Sequence, residues 1–274
     1  MAVAKLYVEG DLDRQLFVRL LAGLPGVASA GGKDLARQKT ARERGNGLRT
    51  YYLRDRDFDY DPTYRDEARP LIEYDQVMGW YWSRHEIENY LLEPQLLARA
   101  FGGRVTAEEV EQELLAAAQR IRFYQMARWA VGRVRRFQNF PNPRKIQTKH
   151  PSCPNDYQLP VNMDYGSCSD WATTSTESFL QTVLQNVNQD AIQSYLAANY
   201  EDFTLEKCQD LKWVLHTFSG KDLFGSLRVW LDKKLSLSPK EVCQRLVSWI
   251  DENQEEAFAI LPEWKNFIDM IRSL

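Results

Sequence analysis

Tyr51-Tyr52-Leu53-Arg54-Asp55-Arg56-Asp57-Phe58-Asp59-Tyr60-Asp61 joins a candidate strand to a run of alternating acids. Its beginning, residues 50–53, is aromatic and β-branched, which predicts a buried strand. Four acids then follow at alternate positions before Pro62. In open α/β sheets ligands bind at the carboxyl ends of strands, so these carboxylates are candidates to hold a hard cation such as Mg²⁺. The alternative is a solvated acidic turn, because Asp is favoured in turns.

The composition is that of an ordinary globular chain. Of its 274 residues, 44% are hydrophobic and 27% are charged, and the net charge is −3. This length supports one large domain or a core with an insertion, and any nucleic-acid binding requires a local basic patch. Four widely spaced cysteines and the lack of a leader segment predict a cytoplasmic protein. No segment approaches the roughly 20 apolar residues of a membrane span, so we expect no membrane partner.

Acids also follow a strand near the start of the chain. Residues 6–8 predict a strand, and apolar residues at helical spacing predict a helix that begins near Asp11. Glu9 lies at the end of this strand, and Asp13 lies in the first turn of the helix. Helix capping would explain Asp11 or Asp13 but not Glu9.

The order of the predicted elements indicates a parallel sheet. A short strand at residues 27–28 and a helix at 33–44 separate the first strand from the acidic one, and this β-α-β-α-β order is typical of a helix-covered parallel sheet. A further strand at residues 77–82 is followed by Glu86 and Glu88. Acids at three strand ends would meet at one edge, where a cation would offset their repulsion.

The segment after Glu93 is predicted to be helical and is locally basic. No acid occurs between Glu113 and Asp156, whereas arginines, lysines and aromatic residues alternate there. Such a patch favours binding of a phosphate backbone with stacked bases. The alternative is a structural helix whose arginines are solvated or pair with acids elsewhere. The candidate nucleic-acid-binding residues are Arg128, Arg133, Arg135 and Arg136.

The remainder of the chain predicts loops and helices. Residues 141–166 contain five prolines and predict a long loop. A turn at residues 219–222 is expected before a helix at 223–235, and the C-terminal residues 239–274 are expected to be helical. Lys221 in that turn is a candidate to approach a bound phosphate, and a solvated turn lysine is the alternative.

The motifs Glu9-Gly10 and Asp55-x-Asp57, in this order of elements, resemble the TOPRIM fold shared by topoisomerases, bacterial primases and OLD-type nucleases. Asp13, the segment 87–92 and Gly220-Lys221-Asp222-Leu223 are similar to the stand-alone OLD-like TOPRIM family. That family is often encoded beside an ABC-type ATPase, and the toxic effector of the PARIS anti-phage system belongs to it.

The resemblance implies an α/β fold class. We expect a TOPRIM-like parallel sheet with flanking helices, a large, mainly helical insertion and C-terminal helices. The core would occupy residues 1–95 and be completed by about 206–235, the insertion would occupy 96–205, and the C-terminal helices 236–274.

The resemblance also implies a phosphodiesterase that depends on Mg²⁺, with Mn²⁺ as an alternative. It would be a defence effector that cuts DNA or an RNA such as tRNA. The residues implied to hold metal are Glu9, Asp13, Asp55 and Asp57, with Glu86 and Glu88 at a second site, and the catalytic residues are Glu9 and Lys221.

Control by an ABC-type ATPase partner is expected, because the chain has no convincing nucleotide-binding loop of its own. A homodimer is compatible with the sequence. The alternative function is a non-catalytic, TOPRIM-derived binding or assembly module. A primase or topoisomerase is disfavoured, because zinc-ribbon spacing and the large additional domains of those enzymes are missing.

Overall fold

The computed structural model describes residues 2–136, 148–153, 157–183 and 189–274. Within these residues the chain is an α/β protein with one five-stranded sheet and twelve α-helices. It divides into two compact units. The first unit comprises Met1–Arg56, Pro62–Ala107 and Lys240–Leu274, and the second comprises Asp57–Asp61 and Glu108–Pro239.

The sheet lies in the first unit. Its strands are β1 (Lys5–Val8), β2 (Gly26–Ser29), β3 (Thr50–Arg54), β4 (Arg69–Glu73) and β5 (Gln76–Tyr81), in the order β2-β1-β3-β5-β4. The strands β1, β2, β3 and β5 are parallel, and β4 is antiparallel to β5. The sequence did not predict β4, because this short strand contains Pro70 and polar residues, which suit an edge position.

The helices lie between and after these strands. In chain order they are α1 (Asp11–Leu20), α2 (Lys33–Gly45), α3 (Glu88–Leu91), α4 (Pro94–Ala100), α5 (Ala107–Arg135), α6 (Tyr165–Val183), α7 (Gln189–Asp202), α8 (Leu211–Thr217), α9 (Gly220–Leu235), α10 (Pro239–Glu252), α11 (Gln254–Ile260) and α12 (Pro262–Ser273). None of the helices in the described part of the chain is both long and apolar enough to cross a bilayer.

The core of the first unit contains a cluster of aromatic side chains. Trp82, at the end of β5, is fully buried. Its ring centroid lies 5.6 Å from that of Phe17 on α1 and 5.2 Å from that of Phe267 on α12. Aromatic side chains bury large areas and dominate core energetics, so the last helix of the chain is an integral part of this unit. In β5, a side chain at Gly79 would clash with the carbonyl oxygen of Tyr52, which explains the glycine.

The second unit is helical in its described residues, and α5 is its longest helix at 29 residues. The Phe58 ring packs edge-on against Trp129 of α5, with 5.1 Å between centroids. The Asn199 amide of α7 donates a hydrogen bond of 3.1 Å to the carbonyl oxygen of Met126 on α5. Buried aromatic residues and a buried amide therefore hold the unit around α5.

Two expectations differ from the observed elements. The predicted turn at 219–222 is the beginning of α9, because the Ser219 hydroxyl accepts the N–H of Asp222 and caps the helix. Lys221 therefore lies in a helix, not in a turn. Residues 206–235, expected to complete the first core, belong to the second unit, and Lys240–Leu274 returns to the first.

The long loop expected at 141–166 lies partly outside the described residues. At its end the expected loop overlaps α6, which begins at Tyr165.

Candidate metal centre

The carboxyl ends of three parallel strands lie at one edge of the sheet in the first unit. Val8 of β1 is paired in register with Leu53 of β3, and Arg54 of β3 is paired with Tyr81 of β5. The residues that follow these strands therefore emerge side by side. This is the edge at which open α/β sheets bind their ligands.

Glu9 and Asp55 are linked directly at this edge. The backbone N–H of Asp55 donates a hydrogen bond of 3.4 Å to Oε2 of Glu9. The Asp55 carboxylate in turn accepts, at Oδ1, a hydrogen bond of 3.1 Å from the backbone N–H of Ile87. Two hydrogen bonds thus connect the ends of β1 and β3 to the segment that follows β5.

Asp13 is folded back toward the end of β1. It is 5% exposed. A Cβ placed on Gly10 would lie 3.3 Å from Oδ2 of Asp13, so this carboxylate lies against the residue that follows Glu9. The N-cap of α1 is Gly10, and both Asp11 and Asp13 lie in the first turn of this helix, the position that the capping alternative requires.

The segment after β5 contributes two buried carboxylates. Glu86 is 4% exposed and Glu88 is 3% exposed. The backbone N–H of Glu86 donates a hydrogen bond of 3.1 Å to the side-chain oxygen of Asn89, which closes the turn before α3. This local turn explains how Glu86, Ile87 and Glu88 are held against the end of β3.

Two site residues were missed by the sequence analysis. His85 is 1% exposed and immediately precedes Glu86. Arg56 is fully buried and donates a hydrogen bond of 3.1 Å from Nε to the carbonyl oxygen of Ser83, which joins the segments after β3 and β5. A histidine beside an acid after an apolar strand was a usable signal. The burial of Arg56 had no signal in the local pattern.

The acids at this edge are candidate ligands of a hard divalent cation. Asp13, Asp55, Glu86 and Glu88 are all buried, and Glu9 is half-buried beside Asp55. Transferring ionised carboxylates from water is costly and like charges repel one another, so a cation is the usual compensation. Carboxylate oxygens are the ligands preferred by Mg²⁺ and Mn²⁺.

The other predicted metal and catalytic residues belong to the second unit. Asp57, two positions beyond Asp55, has a positive φ of 47°, a left-handed conformation that Asp tolerates better than most residues. Lys221 is half-buried in the first turn of α9.

Arg128, a predicted nucleic-acid ligand, is an interior residue. Its guanidinium forms an ion pair with the buried carboxylate of Asp222 and donates a hydrogen bond of 2.8 Å from Nε to the carbonyl oxygen of Thr148. It also lies over the Phe58 ring, 4.6 Å from the centroid. This corresponds to the alternative interpretation of the basic helix, in which an arginine pairs with an acid elsewhere, and the guanidinium is not presented on a surface.

The other three arginines differ in their environment. Arg136 forms an ion pair of 2.8 Å with Asp61 and donates a hydrogen bond of 2.6 Å to the carbonyl oxygen of Phe58. Arg133 is half-buried on α5. The side chain of Arg135 lies outside the described residues, as do the basic and aromatic residues of 137–147.

Comparison with protein-family models found no match to the chain, and comparison with curated proteins found no significant match. The functional assignment therefore rests on the residues and their geometry.

Proposed function

We propose that the protein is a Mg²⁺- or Mn²⁺-dependent nuclease with a TOPRIM-like core. It acts as an anti-phage effector that cleaves DNA or an RNA such as tRNA, under the control of an ABC-type ATPase partner. The observation that carries the proposal is the pair of hydrogen bonds from the Asp55 N–H to Glu9 and from the Ile87 N–H to Asp55, which links the ends of β1 and β3 to the segment after β5.

Each acid has a distinct part in this proposal. Glu9, Asp13 and Asp55 hold one cation, and Glu86 and Glu88 hold a second. When bound, the cations supply an activated water and stabilise the leaving oxygen of an in-line displacement. Glu9 is the least buried of the five first-unit acids and accepts the proton of the attacking water. Asp55 is oriented by the Ile87 N–H, which fixes the carboxylate before substrate binds.

One basic residue completes the proposal. Arg133, half-buried on α5, contacts the nucleic-acid backbone. Arg128 has no direct part in substrate binding, because its guanidinium is occupied by Asp222.

One observation favours a second candidate function, a non-catalytic binding or assembly module. Arg128 and Arg136, expected on a nucleic-acid surface, instead form ion pairs within the second unit. A helical unit built in this way suits a protein scaffold as well as a substrate platform.

Cleavage of plasmid DNA and bulk tRNA tests the proposal. We expect the wild-type protein to cut one of them with Mg²⁺ or Mn²⁺ and to stop when EDTA is added. Glu9→Gln and Asp55→Asn should each lower the cleavage rate by about 100-fold or more, since metal-dependent charge stabilisation is lost. Cleavage at the wild-type rate by both variants would refute the site.

Asp75→Asn is the matched control. Asp75 is an exposed acid of the same unit, in the connection between β4 and β5, and its φ of 59° is one that Asn also tolerates. It precedes β5 and so lies away from the carboxyl ends of the parallel strands. If the wild-type protein cuts neither substrate, its thermal stability with added Mn²⁺ separates the two functions, because a module without a metal site would not be stabilised.

A further inference from the structure

An acid of the last helix contacts the segment that carries Glu86 and Glu88. Glu263, in the first turn of α12, is 2% exposed. Its Oε1 accepts a hydrogen bond of 3.0 Å from the backbone N–H of Ser83. Its Oε2 accepts bonds of 2.5 Å from the Ser83 hydroxyl and 2.7 Å from the Tyr90 hydroxyl. One carboxylate thus holds both ends of the segment 83–90.

The two residues held by Glu263 are themselves connected to the proposed metal site. The carbonyl oxygen of Ser83 accepts the Arg56 guanidinium, which follows Asp55 in the chain. The hydroxyl of Tyr90 also accepts the backbone N–H of Arg84 at 3.3 Å. Between these anchored ends, the N–H of Ile87 meets the Asp55 carboxylate. A shift of either end would therefore move Ile87 and the acids on both sides of it.

Attachment of α12 to the core does not require a carboxylate. The Trp264 ring lies 5.4 Å from the Tyr90 ring, and Phe267 packs on Trp82, so aromatic contacts hold the helix. Burial raises the pKa of Glu263, and the hydrogen bonds from Ser83 and Tyr90 oppose this effect. Among the described residues, the hydrogen bonds of Glu263 all come from one short segment. Because burying this acid costs free energy, its presence is better explained by the placement of that segment.

We propose that Glu263 is a positioning residue for the proposed metal site. It holds Ser83 and Tyr90 so that the backbone between them presents Glu86 and Glu88 and keeps Ile87 bonded to Asp55. The C-terminal helix α12 thereby completes a site whose ligands lie more than 170 residues earlier in the chain. This inference rests on the proposed function, because it assigns a structural determinant of the same metal site.

Mn²⁺ binding to the full chain, measured by calorimetry, tests the role. We expect Glu263→Leu to weaken Mn²⁺ binding by about ten-fold or more, the effect typical of groups that orient metal ligands. Glu263→Gln should bind more tightly than Glu263→Leu, because its carbonyl oxygen still accepts the Ser83 N–H. Asp269→Leu, at an exposed acid of the same helix, is the matched control and should bind like the wild type.

The measured affinities distinguish a failure of the metal site from a failure of the positioning role of Glu263. If the wild type and Asp55→Asn bind Mn²⁺ equally weakly, the metal site and the proposed function both fail. If only Asp55→Asn loses binding and folded Glu263→Leu binds like the wild type, the site stands and the positioning role is refuted. A loss of unfolding free energy without a change in Mn²⁺ affinity would also refute it, since that result indicates packing alone.

Tyr90→Phe provides a second variant if Glu263→Leu does not fold. It retains the ring that packs on Trp82 and Trp264 and removes the hydroxyl that Glu263 holds. We expect a weaker but measurable loss of Mn²⁺ affinity. Wild-type affinity in a folded Tyr90→Phe protein would overturn the proposal.

Discussion

The two units of the chain bury charge in different ways. In the first unit, carboxylates gather at the carboxyl edge of the sheet, where hydrogen bonds from the backbone N–H groups of Asp55 and Ile87 connect them. In the second unit, the buried carboxylate of Asp222 faces the Arg128 guanidinium and accepts a hydrogen bond of 2.5 Å from the Gln125 amide.

This difference separates the proposed metal site from an internal ion pair. The Arg128–Asp222 pair contains its own counter-ion, and its net contribution to stability depends on geometry and on the remaining hydrogen bonds. Like charges that gather repel one another, and a bound cation is one common way to offset that repulsion. The metal site proposed for the acids therefore predicts a response to added cation that the Arg128–Asp222 pair would not show.

The largest expected effect is at the buried pair. Arg128→Ala should lower the free energy of unfolding by about 3–5 kcal/mol, because it leaves the Asp222 carboxylate buried without its counter-charge. Urea denaturation measures the loss. Arg136→Ala is the matched control, since its partner Asp61 is 69% exposed and such pairs contribute about 0–1 kcal/mol. Equal losses in the two variants would contradict the distinction between buried and exposed arginines.

At the sheet edge we expect a smaller change in stability, and in the opposite direction to that of Arg128→Ala. Asp55→Asn should leave the melting temperature in EDTA unchanged or higher, because it removes a like charge and keeps an oxygen that accepts the Ile87 N–H. Mn²⁺ at 100 times its dissociation constant should stabilise the wild type by about 2.7 kcal/mol and the variant much less. Differential scanning fluorimetry with Asp75→Asn as the control measures both. Destabilisation in EDTA as large as that of Arg128→Ala would show that the acids are structural.

The smallest effect on stability is expected at the exposed ion pair of Arg37 and Glu73, which serves as a reference for the two larger effects. Arg37 donates two hydrogen bonds of 2.7 Å to the carboxylate of Glu73 on β4, and they lower the pKa of Glu73 below its ordinary value, while burial opposes them. A lowered pKa in the folded state contributes stability above the unfolded pKa, and this stability is lost as the pH falls through the folded pKa.

Because the Arg37 side chain is 55% exposed, we expect a contribution of only about 0.5 kcal/mol. The difference in unfolding free energy between the wild type and Glu73→Gln should therefore disappear as the pH falls from 6 to about 3. A difference that stays constant over this range would exclude ionisation of Glu73 as its cause.

Part of the site could be predicted because it follows from local order. Glu9, Asp55 and Glu86 each come after a strand, and the ends of parallel strands share an edge. These three acids are therefore brought to the same edge because their strands lie side by side in the sheet. His85 lies in the same segment, and its position beside an acid after an apolar strand was a signal that could have been used. The edge strand β4 was missed because Pro70 and polar residues are not typical of a strand. They are tolerated here because β4 pairs with a neighbouring strand on one side only.

The roles of Arg128, Arg56 and Glu263 could not be predicted from the sequence. An arginine on a basic helix has the same local pattern whether it faces solvent or an acid such as Asp222, 94 residues away. Glu263 and Ser83 are 180 residues apart, and nothing near either residue indicates the other. Periodicity reports which face of an element is apolar, but not which distant partner a buried polar group will find.

The strands of the parallel sheet, their order along the chain and the acids that follow three of them could be predicted from the sequence, because local residue patterns and element order indicate them. Which charges lie together at the sheet edge and which form an ion pair depends on the folded chain, because burial removes water and makes each charge depend on its nearest partner in space.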